Sequence, residues 1–459
     1  MTFRARRLFR TLLFVSLACG AGFAAWTPLQ AAVRPPKLQY TISTLPNGLR
    51  VILSEDHSTP IVHVQLTYHV GSKNEKPGRT GFAHLFEHMM FQGFQGYDLD
   101  YIPVIQEVGG AINGSTTQDR TNYWETVPAH YLPLALWLEA DRMASLKVEE
   151  SAFGRERSVV KEERRQRVDS PPYGRLAEIV YDATFTTHPY KHQVIGSMED
   201  LEAARIEDVR DFYETYYVPE NAVLVIAGDF DAGATMEMVQ RYFGRVPKAK
   251  KPVPRDIPAE PAPSAERRIT IYEDVPLPAV VVAHHITFDG HPDSYPLHIV
   301  NKVLSDGNSS RIYRSLVYEK RLALAAFGGG NIVEDPNLFF ATAVVQPGQS
   351  TDAAIKALTA ELDRLREEPI TERELERTKN QWARDYLLTR LTIQDKASML
   401  SHAAVIHNDL KTADGEFDIF QRTTIADVQR VARTYFTPAT RTIITILPRA
   451  AAPTAEASR

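Results

Sequence analysis

The chain of 459 residues contains one cysteine, Cys19. It lies in a segment marked for removal, so disulfides and a cysteine-based metal site are excluded from the mature protein. A surplus of positive charge is also missing. The formal charge of −5 at pH 7 gives no overall attraction for nucleic acid. Beyond the N-terminus no apolar run is long enough for a stable membrane span. Compositional bias is absent too: 44% hydrophobic and 24% charged residues describe an ordinary globular protein, neither disordered nor collagen-like. At this length two or three domains are expected.

The N-terminus reads as an export signal. Arg4, Arg6, Arg7 and Arg10 precede an apolar run over 11–26 and small residues at Ala31 and Ala32. That order marks residues 1–31 as a cleaved signal peptide. The protein is therefore expected to be exported, to the periplasm or beyond.

The body is written twice. Prolines at 247, 252, 254, 258, 261 and 263 make 247–267 an extended, stiff linker. It separates an N-terminal domain over 38–246 from a C-terminal domain over 268–449, with a flexible tail over 450–459. Ile206-Glu207-Asp208-Val209, Tyr216-Tyr217-Val218-Pro219 and an apolar strand over 222–227 return in order. Their counterparts are Ile425-Ala426-Asp427-Val428, Tyr435-Phe436-Thr437-Pro438 and a strand over 442–447. The shared order indicates duplication.

Each half mixes strands with helices. Segments 38–45 and 49–53 flank Asn47-Gly48, a favoured hairpin turn. Val62, Val64, Leu66, Tyr68 and Val70 alternate with His63, Gln65, Thr67 and His69, the pattern of a half-buried strand. His63 and His69 are then expected on a solvated face. Helices are expected at 80–92, 98–108, 129–145 and 152–168, with a strand pair near 111–127. The mixed order points to an α+β fold, with open mixed sheets covered by helices.

One motif carries chemistry: His84-Leu85-Phe86-Glu87-His88. On a helix, His84 and His88 are one turn apart on the same face and can reach one ion. Glu87 falls where it can hold a water without ligating. Phe82, Leu85, Phe86 and Met89 make the helix apolar, and buried histidines beside an acid need partners, which favours a metal over simple packing. Two histidines leave zinc one protein ligand short. Glu156, Glu162 and Glu163 on the next acidic helix are candidates. Glu156, Val160 and Glu163 share one face, with Glu162 turned away.

The set resembles the inverzincin metallopeptidases: pitrilysin, insulysin and the mitochondrial processing peptidase. Further matching residues are Gly71-Ser72 and Glu75, Gly78 to Gly93, Asn113-Gly114-Ser115-Thr116-Thr117 with Thr121 and Tyr123, and His188-Pro189-Tyr190 with Gly196. The tandem halves match as well. The resemblance implies two similar α+β halves closing as a clamshell around a chamber. It implies one zinc per chain on His84, His88 and Glu163, with Glu87 as general base and Glu156 as a carboxylate behind the ligands. Asn113, Gly114, Ser115 and Thr116 would form an edge strand that receives an extended peptide. The implied activity is zinc-dependent endopeptidase cleavage of extended or unfolded peptides.

The second half departs from that pattern. His298-Ile299-Val300-Asn301-Lys302 stands opposite the motif, so this copy lacks the base and second ligand and His298 is expected to be structural. Self-sufficient relatives place an arginine and a tyrosine where this chain has Val317 and Leu324. Neither replacement can donate to a developing oxyanion, a loss typically worth roughly 10²–10³ in rate. The preferred explanation is a heterodimer in which a homologous partner subunit supplies both groups. The alternative from another class is a non-catalytic peptide-binding or scaffold subunit, which would not require the intact zinc set.

Overall fold

The computed structural model describes residues 34–94 and 100–451. The signal segment, and most of the expected tail, therefore lie outside the described residues. No helix among the described residues is long and apolar enough to cross a membrane.

The first half builds a six-stranded mixed sheet in the order β1-β2-β6-β3-β5-β4. Its strands are β1 (Thr41–Thr44), β2 (Arg50–Glu55), β3 (Ile61–Tyr68), β4 (Ala111–Thr116), β5 (Thr121–Pro128) and β6 (Ala222–Gly228). The second half builds a five-stranded sheet, β7-β11-β8-β10-β9. Those strands are β7 (Arg267–Glu273), β8 (Ala279–Ile286), β9 (Ala323–Gly330), β10 (Asn337–Val345) and β11 (Arg441–Pro448). Apart from β1, the sheets share one topology. Each has one parallel pair, β2 with β6 and β7 with β11, and the remaining pairs are antiparallel. The repeated landmarks occupy equivalent places: helices Ile206–Tyr216 and Ile425–Tyr435 lead into β6 and β11. The halves close on each other as a clamshell. β7 begins at Arg267, the last residue assigned above to the linker.

The expected helices lie at Phe82–Met89, Tyr101–Glu107, Leu132–Ser145 and Glu150–Arg164. Phe82, Leu85, Phe86 and Met89 of the first join β3, Leu136 and Phe212 in the main apolar core of the first half. The opposite faces of both sheets are covered in an unexpected way. Helix Ile393–Val405, from the second half, lays Ile393, Ala397 and Leu400 on Ile52, Val223 and Val225 of the first sheet. Helix Leu176–Thr184, from the first half, lays Ile179, Val180 and Ala183 on Val281, Leu338 and Ile444 of the second. Each half covers the other's sheet.

This exchange corrects the reading of β3. Its polar face is not solvated: His63, Gln65 and Thr67 are all buried. Ser398 Oγ donates to Gln65 Oε1 at 3.1 Å, and Ser401 Oγ to Thr67 Oγ1 at 2.7 Å. His63 meets Thr126 Oγ1 at 2.8 Å, and burial lowers its pKa to about 4. Alternation there separates an apolar core from a polar interface between helix and sheet.

A charged cluster ties the halves together. Buried Lys73 lies 3.0 Å from Asp119, 2.9 Å from Glu334 and 2.8 Å from Asp335, and His69 pairs with Glu334 at 2.8 Å. Burial raises Asp335, but His188 and Lys73 outweigh it and hold the carboxyl down to about 2. A carboxyl depressed in the folded state contributes stability above its unfolded pKa of about 3.9, lost as pH falls toward the folded value. Lys73→Met is therefore expected to lower stability at pH 7 and to shrink the further loss between pH 5 and pH 3. Urea unfolding at the three pH values measures this. An unchanged slope would rule the linkage out.

Candidate active site

The motif helix starts where backbone and side chains leave little freedom. Gly81 precedes it at φ 87°, and a Cβ there would sit 2.6 Å from the Ile195 carbonyl oxygen. The first-turn N–H groups need acceptors. The buried Glu75 carboxylate supplies them, accepting from Gly81 N at 2.9 Å and Ala83 N at 2.7 Å. The C-terminal end is backed by Arg142, whose Nη1 donates to the Met90 carbonyl at 3.5 Å.

Helical phase then brings the ligand candidates together. Glu163 Oε2 lies 3.7 Å from His84 Nε2 and 3.4 Å from His88 Nε2. One donor atom from each of the three residues falls within 4.8 Å of the others. Around a tetrahedral zinc, with bonds of about 2.0–2.2 Å, donors stand roughly 3.3 Å apart. The observed spacing is long for hydrogen bonds and close to that value, so these residues fit the ion. Glu156 approaches the other nitrogen of His88, Nδ1, at 3.6 Å, and accepts from Gln92 Nε2 at 3.0 Å. An imidazole held through its far nitrogen is oriented toward a metal. Glu162 points to solvent and pairs with Arg165 at 3.1 Å.

The electrostatics suit a dication. Burial, reinforced by His88, lowers His84 to about 4, leaving a neutral donor at pH 7. Burial also lowers His88, but the neighbouring carboxylates of Glu156, Glu87 and Glu163 more than offset it, so its pKa is raised.

Glu87 stands beside this group without joining it. Its buried carboxyl accepts from Thr116 Oγ1 at 2.5 Å. Burial raises its pKa, and the Thr116 bond works against that. Thr116 is thus occupied by the acid rather than free for a substrate. β4, the strand of Asn113, Gly114, Ser115 and Thr116, is the edge of its sheet and, among the described residues, pairs with β5 alone. Asn113 Oδ1 turns back to Gly114 N at 2.9 Å, and Ser115 Oγ is 2.6 Å from Asn122 Oδ1. A Cβ on Gly114 would lie 3.1 Å from Glu87 Oε1 and 3.2 Å from the Phe91 ring. Gly114→Val is expected to displace the acid and lower kcat more than 10-fold while metal content stays constant. Activity assays beside metal analysis check this.

Two residues of the surrounding cavity escape sequence reasoning. Arg167 donates to Glu163 Oε1 at 2.5 Å; its i+4 spacing from Glu163 was the available signal. Gln193 lines the same cavity, and its buried Nε2 makes no hydrogen bond among the described residues. Nothing in its local sequence distinguishes it.

The second half lacks an equivalent at the corresponding helix, Ser294–Ser305. Asn301 Oδ1 accepts from Ser305 Oγ at 2.8 Å, Lys302 pairs with Asp306 at 3.1 Å and Asp385 at 2.9 Å, and His298 packs against Phe420. Leu324 lies exposed on β9, Val317 packs beside the second core, and Arg311 is held by Glu374 at 2.8 Å.

Residues 50–198 match the family model for insulinase (peptidase family M16), and residues 204–382 match that for the peptidase M16 inactive domain. A zinc protease, PqqE of Helicobacter pylori, is 30% identical over 409 residues, covering 88% of this chain and 92% of the relative. The beta subunit of the mitochondrial-processing peptidase of Saccharomyces cerevisiae is 27% identical over 259 residues, covering 56% of this chain and 55% of its own. Among solved structures, a protease from Helicobacter pylori superposes with a TM-score of 0.85 at 30% identity. It covers 90% of this chain and 100% of its own.

Proposed function

Because the chain belongs to the M16 (insulinase) peptidase family, we propose that it is a zinc metalloendopeptidase that cleaves extended or unfolded peptides. The observation that carries this reading is the convergence of His84, His88 and Glu163, with the Glu87 carboxylate held beside them by Thr116. Zinc bound to those three residues would supply Lewis acidity toward water and the scissile carbonyl. Glu87, ionised, takes the proton of the attacking water and delivers it to the leaving amine, as a general base that becomes a general acid. Glu156 keeps His88 turned inward. The free edge of β4 receives the peptide as an added strand, so backbone pairing sets its direction across the site. Asn113, Gly114 and Ser115 contact substrate in this reading, and Thr116 acts through Glu87.

Val317 and Leu324 leave the oxyanion without a donor at the positions where self-sufficient relatives carry one, and this favours a heterodimer. A homologous subunit supplies an arginine and a tyrosine to the site. The charge, apolar run and small residues of the N-terminus support a working protein exported from the cytoplasm. A second reading, a peptide-binding scaffold, draws on the match of 204–382 to an inactive-domain model. It leaves the intact first-half set unexplained.

The test takes protein from the soluble fraction outside the cytoplasm, measures its zinc, and assays it on unstructured peptides with and without a homologous second subunit. One zinc per chain is expected, with activity that rises strongly when the second subunit is added. Full activity of the isolated chain would remove the heterodimer. Absence of both zinc and activity in the pair would leave the scaffold.

A further inference from the structure

Asp289, His402 and His407 come from three separate segments. Asp289 follows β8, His402 lies near the end of helix Ile393–Val405, and His407 lies in the connection to helix Thr412–Arg422. Asp289 Oδ2 is 2.7 Å from His402 Nε2 and 3.0 Å from His407 Nε2. One donor atom from each falls within 4.8 Å of the others, as at the first site.

Proton positions decide what this cluster needs. The Thr412 hydroxyl donates its single hydrogen to the Asp409 carbonyl at 2.7 Å. Toward His407 Nδ1, 2.8 Å away, it can only accept, so Nδ1 carries the proton. A neutral His407 therefore presents a lone pair at Nε2. That atom is buried, its side chain only 7% exposed, and it makes no hydrogen bond among the described residues. An N–H there would miss Asp289 Oδ2, although the oxygen is 3.0 Å away. Two electron-rich atoms at that distance require positive charge: either a second proton on His407 or a cation between the side chains.

We propose that Asp289, His402 and His407 form a second divalent-metal site, independent of the motif on the first helix. The spacing is near the roughly 3.3 Å separating donors around zinc, and a small expansion admits the ion. Two imidazoles and one carboxylate suit zinc or a neighbouring late transition ion better than calcium or magnesium. Thr412 fixes the His407 tautomer from behind, the arrangement that orients ligand histidines. An adjoining cavity of about 320 Å³, lined by His402, His407 and Glu416, has room for a water to complete the coordination. His402 is half exposed and gives the ion an entry path. All three residues belong to the second half, so the ion would pin the helix that covers the first sheet to the end of β8 in its own half.

The test uses the whole chain with the first site removed, as H84A/H88A. Equilibrium dialysis against zinc, and titration with cobalt(II) followed by its visible absorption, count the ions that remain. One ion per chain is expected, together with a rise in Tm on adding zinc. Adding Asp289→Asn or His407→Gln to H84A/H88A should abolish that ion. Adding Thr412→Val, which keeps all three donors, should weaken it about 10-fold. The proposal fails if folded H84A/H88A, verified by circular dichroism, binds no ion. It also fails if the ion it binds survives both Asp289→Asn and His407→Gln.

Discussion

Glu87→Gln is expected to reduce peptide hydrolysis by about 10³-fold or more while leaving zinc content and peptide affinity near their original values. General acid–base groups contribute typically about 10²–10⁴-fold, and in the proposed mechanism one carboxylate serves both the attack and the departure. The substitution keeps shape: Thr116 Oγ1 can donate to the amide oxygen as it does to Glu87 Oε2. Glu87 stands outside the group formed by His84, His88 and Glu163, so the metal should stay. kcat should therefore fall with KM nearly unchanged. Metal analysis, a peptide-binding isotherm and single-turnover rates separate the outcomes. Loss of zinc in this variant would mean that Glu87 is a ligand and that the division of roles proposed here is wrong.

Arg142→Met should be the most damaging single change outside the site. Arg142, Glu139 and Glu125 are fully buried under the first sheet. The guanidinium holds Glu139 through Nε at 2.9 Å, reaches Glu125 at 3.3 Å and lies 4.5 Å from the Tyr123 ring centre. Burial, then Glu139, pushes Glu125 well above the usual carboxylate range. Removing one partner of a buried pair costs roughly 3–5 kcal/mol, because the remaining charge is left without compensation. Removing every charge costs much less, and Glu125→Gln/Glu139→Gln/Arg142→Met should recover part of the loss. Urea unfolding of both variants tests this. Equal destabilisation would show that packing, rather than uncompensated charge, governs the triad. Because Arg142 also backs the end of the motif helix, the single variant should hold zinc less tightly.

The same triad shows what could not be read from the chain. Glu125, Glu139 and Arg142 look like surface residues, because their compensation exists only after β5 and helix Leu132–Ser145 have packed. The motif was legible for the opposite reason: His84, Glu87 and His88 sit within one helical turn, where spacing alone fixes their relation. Helical phase likewise put Glu156 and Glu163 on one face with Glu162 outside, and the choice between the two inward acids came from resemblance. β3 was read with the right period and the wrong surroundings. Its cover, 393–405, lies more than 300 residues away in sequence, beyond the reach of local pattern. Arg167 was within reach at one turn from Glu163, whereas Gln193 was not.

The exchanged helices bear on how the duplicated gene product could be divided. A cut in the proline-rich connection would release two pieces, each carrying the lid of the other's sheet. Helix Ile393–Val405 would leave with one piece and Leu176–Thr184 with the other. Neither piece could then shield its own apolar strands. The pieces are obligate complements, suited to reconstitution by co-expression. At high concentration intact chains could also trade these lids and form entangled dimers.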